Sequence, residues 1–134
     1  MPIQLEIVTP DKRLLSRTVD SVRAPGSDGS FGVLPGHTPY VAALEPGGLT
    51  ITEGGRESHY FIGGGFAQVV GDRVYVLAES AEPVESIDIE RAERALAEAQ
   101  ARLKELRHEE SEAARLERAR VQRASARIAL ARRR

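Results

Sequence analysis

Cysteine is absent from this 134-residue chain, which excludes disulfide staples and thiolate metal sites. The histidines His37, His59 and His108 are scattered and offer no metal-ligand spacing. Aromatic residues make up only 4% of the chain, against 41% hydrophobic residues in all. A core must therefore be assembled from Val, Ile, Leu and Ala, and it will be modest. Small domains of this kind are marginally stable unless stapled or docked on partners; with staples excluded, docking is expected. No apolar run approaches the roughly 18–20 residues that a membrane span needs. The opening residues Met1-Pro2-Ile3-Gln4 lack the basic start and apolar stretch of a signal peptide. These features lead to the expectation of a soluble or peripheral protein without direct membrane insertion.

A strong net charge is missing as well, the total being −1, but the average hides an asymmetry. Residues 1–84 hold six Lys/Arg against ten Asp/Glu, and residues 85–134 hold thirteen against ten. Between positions 113 and 134 stand eight arginines and a single acid, Glu117. A basic end of this kind suggests an anionic partner.

The two halves also differ in period. Ile3, Leu5 and Ile7 alternate with Gln4 and Glu6, the period-2 mark of a strand with one buried face. Similar runs recur at 19–22, 40–44, 49–52, 60–62, 66–70 and 74–78. Glu53-Gly54-Gly55-Arg56 and Val70-Gly71-Asp72-Arg73 have the chemistry of tight hairpin turns. Short strands with closely spaced turns predict an antiparallel sandwich or flattened barrel over residues 1–84. After Pro83 neither Gly nor Pro occurs, and Ala, Arg, Glu and Leu dominate, all good helix formers. Asp88 is placed to cap a helix by accepting the backbone N–H near Arg91. Ile89, Ala92, Leu96, Ala99, Leu103 and Leu106 follow in 3-4 spacing, a narrow seam of coiled-coil type. A second seam runs through Val121, Ala124, Ile128 and Ala131. Ser111 could cap a second helix and so create a hairpin over 85–134, but no Gly or Pro forbids one continuous helix. Four of the ten seam positions are alanine, which buries little area at about 25 cal/mol per Å². A hairpin zipped by them is only weakly preferred over an extended form.

Catalytic signatures are lacking. Gly63-Gly64-Gly65 is followed by a strand pattern and no Gly-Lys-Ser/Thr, so a turn or close backbone packing accounts for it better than a phosphate cradle. His37 has neither nucleophile nor carboxylate at recognisable spacing. The chain is expected to be an interaction subunit, not an enzyme.

The most distinctive segment is Gly26-Ser27-Asp28-Gly29-Ser30-Phe31-Gly32-Val33-Leu34-Pro35-Gly36-His37-Thr38-Pro39. Its physical reading is a looped crossing between strands. It strongly resembles the signature of the epsilon subunit of F-type ATP synthases. The likeness continues from Tyr40 to Gly47, at Gly64-Gly65-Phe66-Ala67 and over 74–82. Ile87-Asp88-Ile89-Glu90-Arg91-Ala92 resembles the motif that opens the family's helical domain. The resemblance spans the whole chain in the same order.

It implies an N-terminal antiparallel β-sandwich of about ten strands, then a C-terminal two-helix hairpin able to extend. It further implies a central-stalk rotor subunit on the cytoplasmic face of a bacterial inner membrane. The expected partners are the gamma subunit, the c-subunit ring and the catalytic alpha and beta subunits, and the extended arm would inhibit ATP hydrolysis. No cofactor is required; the resemblance implies regulatory ATP in the compact form. Its implied contacts are Glu82, Ile87, Asp88, Arg91, Ala92, Arg123 and Arg127. Arg123 and Arg127 lie one helical turn apart, and paired guanidinium groups suit phosphate oxygens. Asp28 and Ser30 fall in the loop that the family presents to the c ring, although many members carry an acid where Ser30 stands. His37 is expected at the gamma interface, and Arg115, Arg118, Arg120 and Arg123 opposite acidic surface of the catalytic subunits. The competing interpretation is a free-standing adaptor whose basic helix binds nucleic acid. Neither an aromatic platform nor a DNA-binding motif frames the arginines, and the expectation is no nucleic-acid partner.

Overall fold

The computed structural model describes residues 2–34, 36, 39–106 and 110–134. The chain forms two compact units, Met1–Pro83 and Val84–Arg134.

In the first unit, β1 (Ile3–Val8), β2 (Arg13–Val19), β3 (Ser21–Ala24) and β4 (Phe31–Val33) precede two long strands, β5 (Tyr40–Glu53) and β6 (Arg56–Val70). β7 (Arg73–Ala78) and β8 (Ala81–Pro83) complete it. The order is β2-β1-β7-β6-β5-β3-β4, with β8 paired to β6. Eight strands stand among the described residues where about ten were expected, because neighbouring runs fuse. Residues 40–44 and 49–52 are parts of β5, and 60–62 and 66–70 are parts of β6. By contrast, the run at 19–22 divides between β2 and β3. The expected crossing at 26–39 contains the short edge strand β4.

The β5–β6 ribbon pairs from Tyr40↔Val69 to Glu53↔Arg56. One half of it is flanked by β7, the other by β3 and β8. Residues of both halves, among them Leu5, Ile7, Val76, Val22, Ile51 and Ile62, share one hydrophobic cluster. The fully buried members of that cluster are aliphatic, while Phe31, Tyr40 and Tyr60 pack on it only in part. Every pairing is antiparallel except β1 with β7, which runs parallel from Gln4↔Arg73 to Val8↔Leu77.

Turn chemistry explains the ribbon. Gly54 and Gly55 both have positive φ, +58° and +79°, as a two-residue type I′ hairpin requires. The glycine run has a packing cause. A Cβ on Gly65, at φ +129°, would stand 2.0 Å from the Leu77 carbonyl oxygen, so only glycine lets β6 approach β7 there.

In the second unit a 3-10 turn, Val84–Ser86, leads to α1 (Ile89–Glu105) and α2 (Glu112–Arg132). Asp88 Oδ1 accepts the Arg91 N–H at 3.1 Å, and Ser111 Oγ accepts the Ala114 N–H at 3.1 Å. The second cap decides between the two forms open to the sequence, because the chain breaks into two helices that pack on each other. Along α1 the positions protected from solvent are Ile89, Ala92, Leu96, Ala99, Leu103 and Leu106. On α2 they include Ala114, Glu117, Val121, Ala124, Ile128 and Ala131. The Arg134 guanidinium donates from Nη1 to the carbonyls of Val84, Glu85 and Ile87 at 3.0, 3.3 and 2.9 Å. It thereby ties the far end of α2 to the turn that precedes α1.

Candidate functional site: an apolar sheet face and a basic helix

Strands β5, β6 and β7 are apolar at both alternate positions over part of their length. The inward set fills the core, and the outward set lies open. Val41 is 65% exposed, Phe66 56%, Leu77 51% and Val70 47%. The register extends Phe66 and Leu77 into a continuous apolar row. Ala43 pairs with Phe66, Phe66 with Leu77, and Leu77 with Val8, across β5, β6, β7 and β1. Directly paired residues project from the same face, so four apolar side chains stand side by side. The neighbouring row, Val41–Gln68–Tyr75–Glu6, grades from apolar to polar. The next, Val70–Arg73–Gln4, ends in charge and amide. An exposed apolar patch rimmed by polar groups marks an interaction surface.

The sequence expectations did not include this face, although one signal for it was present. Strands that are apolar on both faces are the mark of a sheet covered on both sides. The runs Tyr40-Val41-Ala42-Ala43-Leu44 and Val74-Tyr75-Val76-Leu77-Ala78 have that composition.

Asp28 and Ser30 are exposed on the turn before β4. That turn is pinned to β5 by Ser27 N–H donating to the Ala43 carbonyl at 2.9 Å and by Glu45 N–H donating to the Pro25 carbonyl at 2.9 Å. Leu34, just beyond β4, is 63% exposed. Phe31 meets Tyr40 edge-to-face with ring centroids 5.4 Å apart, fastening β4 to the start of β5, and burial raises the Tyr40 phenol above its ordinary 10.0. His37 lies outside the described residues. On the first unit a cleft of about 270 Å³ is lined by Arg23, Gly32, Leu34, Thr50, Thr52 and Glu57, among others. The hydroxyl of its Thr50 lies 3.1 Å from His59 Nδ1. No group of three or more metal-ligating side chains occurs among the described residues.

The residues expected around a nucleotide are distributed over both units. Glu82 stands on β8, in register with Phe61. Ile87 and Ala92 are buried and act as packing groups. Asp88 and Arg91 are exposed at the start of α1, and the Asp88 carboxylate serves as the helix cap. Arg123 and Arg127 are half-buried one turn apart on α2.

Three of the four arginines expected to face a catalytic partner have local acids. Arg115 pairs with Glu112 at 2.6 Å, Arg118 with Glu110 at 3.9 Å and Arg120 with Glu117 at 2.5 Å. Arg115 and Arg118 are solvent-exposed pairs of the kind worth roughly 0–1 kcal/mol, so their charge remains available to a partner. Arg134 and Glu117 were singled out by no spacing rule. Arg134 acts across the unit, and Glu117 occupies a seam position where an apolar residue is the norm.

Three comparisons bear on these surfaces. The family model described as ATP synthase, Delta/Epsilon chain, beta-sandwich domain matches residues 2–84. An ATP synthase epsilon chain of Anaeromyxobacter sp. (strain Fw109-5) is 56% identical over 137 residues, covering 99% of this chain and 100% of that relative. The epsilon chain of Myxococcus xanthus (strain DK1622) is 51% identical over 109 residues, covering 81% of this chain and 80% of the relative. Among solved structures, a chain of the Euglena gracilis mitochondrial ATP synthase, determined with its c-ring, superposes with a TM-score of 0.79 at 31% identity, covering 96% of this chain and 80% of that one. A chain of the Tetrahymena thermophila central stalk and c-ring shares the fold, with a TM-score of 0.56 at 16% identity over 64% of this chain and 69% of that one.

Proposed function

This chain belongs to the epsilon-chain family of ATP synthases, non-catalytic stalk subunits, and from that premise we propose that it couples the gamma subunit to the c-subunit ring and restrains ATP hydrolysis. The observation that carries the coupling role is the open apolar row Ala43–Phe66–Leu77–Val8. A sheet face of this composition needs a cover, and a stalk subunit turns with its neighbours only if it is held to them over a broad, rigid contact. The gamma subunit is the occupant of the row. The exposed turn of Asp28 and Ser30, held to β5 by backbone hydrogen bonds, faces the c ring. Torque then passes through a body whose strands are locked in register. The protein sits against the membrane through the ring; no helix is long and apolar enough to cross a membrane among the described residues.

The second unit works as the regulator. An arm with an alanine-rich seam exchanges a closed hairpin for an extended form that reaches the alpha and beta subunits. There Arg115, Arg118 and Arg120 trade their local acids for acidic surface, and Arg123 joins them. ATP binds the closed form through Asp88, Arg91, Arg123 and Arg127, with Ile87 and Ala92 beside it. A ligand shifts such an equilibrium only by its differential affinity for the two states.

Co-purification tests the docking role: the protein is expected to fractionate with gamma and the catalytic subunits, and a salt-dependent shift of duplex DNA without gamma binding would refute it. Deleting residues 111–134 is expected to raise ATPase activity of the assembled complex while synthesis persists; unchanged hydrolysis would remove the inhibitory role alone. Calorimetric titration with ATP is expected to give heat at millimolar nucleotide or below, and none would reject nucleotide binding.

A further inference from the structure

Glu117 is a charged residue in a place that charge avoids. It is 6% exposed and the single buried polar residue among those described. Ala114, Ala124, Ile128 and Ala131 share its buried stripe on α2. One carboxylate oxygen, Oε1, accepts from Arg120 Nη1. The other, Oε2, is buried and meets no hydrogen-bond partner among the described residues. The Arg120 side chain is 50% exposed while that of Glu117 is 8% exposed, so the ion pair is lopsided: the cation keeps its water and the anion has lost it.

Burying a carboxylate removes its hydration, and a single partner does not restore all of it. An unsatisfied buried acceptor carries its full desolvation cost. Elsewhere the stripe is alanine and isoleucine, so the hairpin has little apolar area with which to offset that cost. A polar residue at one seam position is a known device for lowering stability while keeping register.

We propose that Glu117 sets the opening equilibrium of the helical hairpin: its half-satisfied carboxylate destabilises the closed form, and separating the helices rehydrates it. The proposal concerns the hairpin itself. It joins the regulatory role proposed above only through the further step that an opened arm inhibits hydrolysis.

The test is hydrogen exchange of backbone amides in the full chain, comparing wild type, Glu117→Ala, Glu117→Gln and Arg120→Ala. Amides of Leu5, Ile62 and Val76 in the sandwich serve as the internal reference. Glu117→Ala removes the buried charge, matches its alanine neighbours and leaves Arg120 in water. Exchange in α1 and α2 is expected to slow by about tenfold, the low end of the gain when buried ion pairs give way to apolar residues, because alanine is smaller than glutamate. Glu117→Gln keeps the shape and removes the charge, and is expected to slow exchange by a smaller factor. Arg120→Ala strands the carboxylate and is expected to speed it. An ordinary stabilising ion pair would make Glu117→Ala and Arg120→Ala both faster, and that result overturns the proposal, as does wild-type exchange in Glu117→Ala and Glu117→Gln. The assembled complex separates this from the regulatory role. Slower exchange in Glu117→Ala with undiminished inhibition of ATPase activity would sustain the hairpin claim and sink the regulatory one.

Discussion

Replacing Phe66 by serine probes the open sheet face where its consequences for folding and for docking differ most. The residue is 56% exposed, and a phenylalanine carries about 200 Å² of surface, so roughly 110 Å² is left for a partner to cover. At about 25 cal/mol per Å² that area is worth roughly 3 kcal/mol. Part of such a gain is lost to ordering and imperfect fit on binding, so the expected weakening is about 10- to 100-fold in Kd. Folding should suffer less. The cross-strand pair with Leu77 contributes roughly 0.2–1 kcal/mol, and the inner face of β6, with Ala67 and Val69 buried, is untouched. The assay is titration of the purified variant against gamma, or against a complex stripped of this subunit, with a thermal melt alongside. A folded variant that binds with wild-type affinity would refute the assignment of this face. Loss of the fold itself would show that the half-exposed ring holds the sheet together, which the geometry argues against.

Gly65→Ala places a Cβ 2.0 Å from the Leu77 carbonyl oxygen at a φ of +129°, so β6 must retreat from β7; a loss of about 3 kcal/mol or more is expected, read as a collapse of the melting temperature. Asp88→Ala removes the α1 cap and should cost about 1 kcal/mol, whereas Asp88→Asn should recover most of it; circular dichroism of the helical signal during urea melts distinguishes the two. Burial raises the Tyr40 phenol, so the folded state holds its proton where the unfolded chain releases it. Stability is present below the unfolded value of 10.0 and falls as pH rises through it towards the folded value; Tyr40→Phe should flatten the alkaline limb of a melting-temperature profile.

Much of this architecture was legible because it rests on interactions between near neighbours in the chain. Period-2 alternation marked β1, and the glycines of the 53–56 turn marked the β5–β6 hairpin. Both helix caps and the α1 seam followed from spacings of three and four residues. Where the sequence left a choice, between one long helix and two, the decision came from the Ser111 cap together with the mutual packing of α1 and α2. The expected nucleotide residues stand on a different footing. Their chemistry comes from a resemblance, and Asp88, Ile87 and Ala92 each have a structural role that explains the residue type.

The sequence by itself determined that a glycine- and proline-punctuated half becomes strands, that an uninterrupted Ala/Arg/Glu/Leu half becomes helix, and that cysteine chemistry is excluded. Tertiary structure decided that β1 lies parallel beside β7, that Ala43, Phe66, Leu77 and Val8 form one row, that Arg134 reaches the carbonyls before α1, and that the Glu117 carboxylate is dry. The physical reason is range. Alternation, turns and caps act over two to four residues and leave their mark as spacing, whereas register and burial join positions as far apart as Gln4 and Arg73 and exist only once the chain has folded.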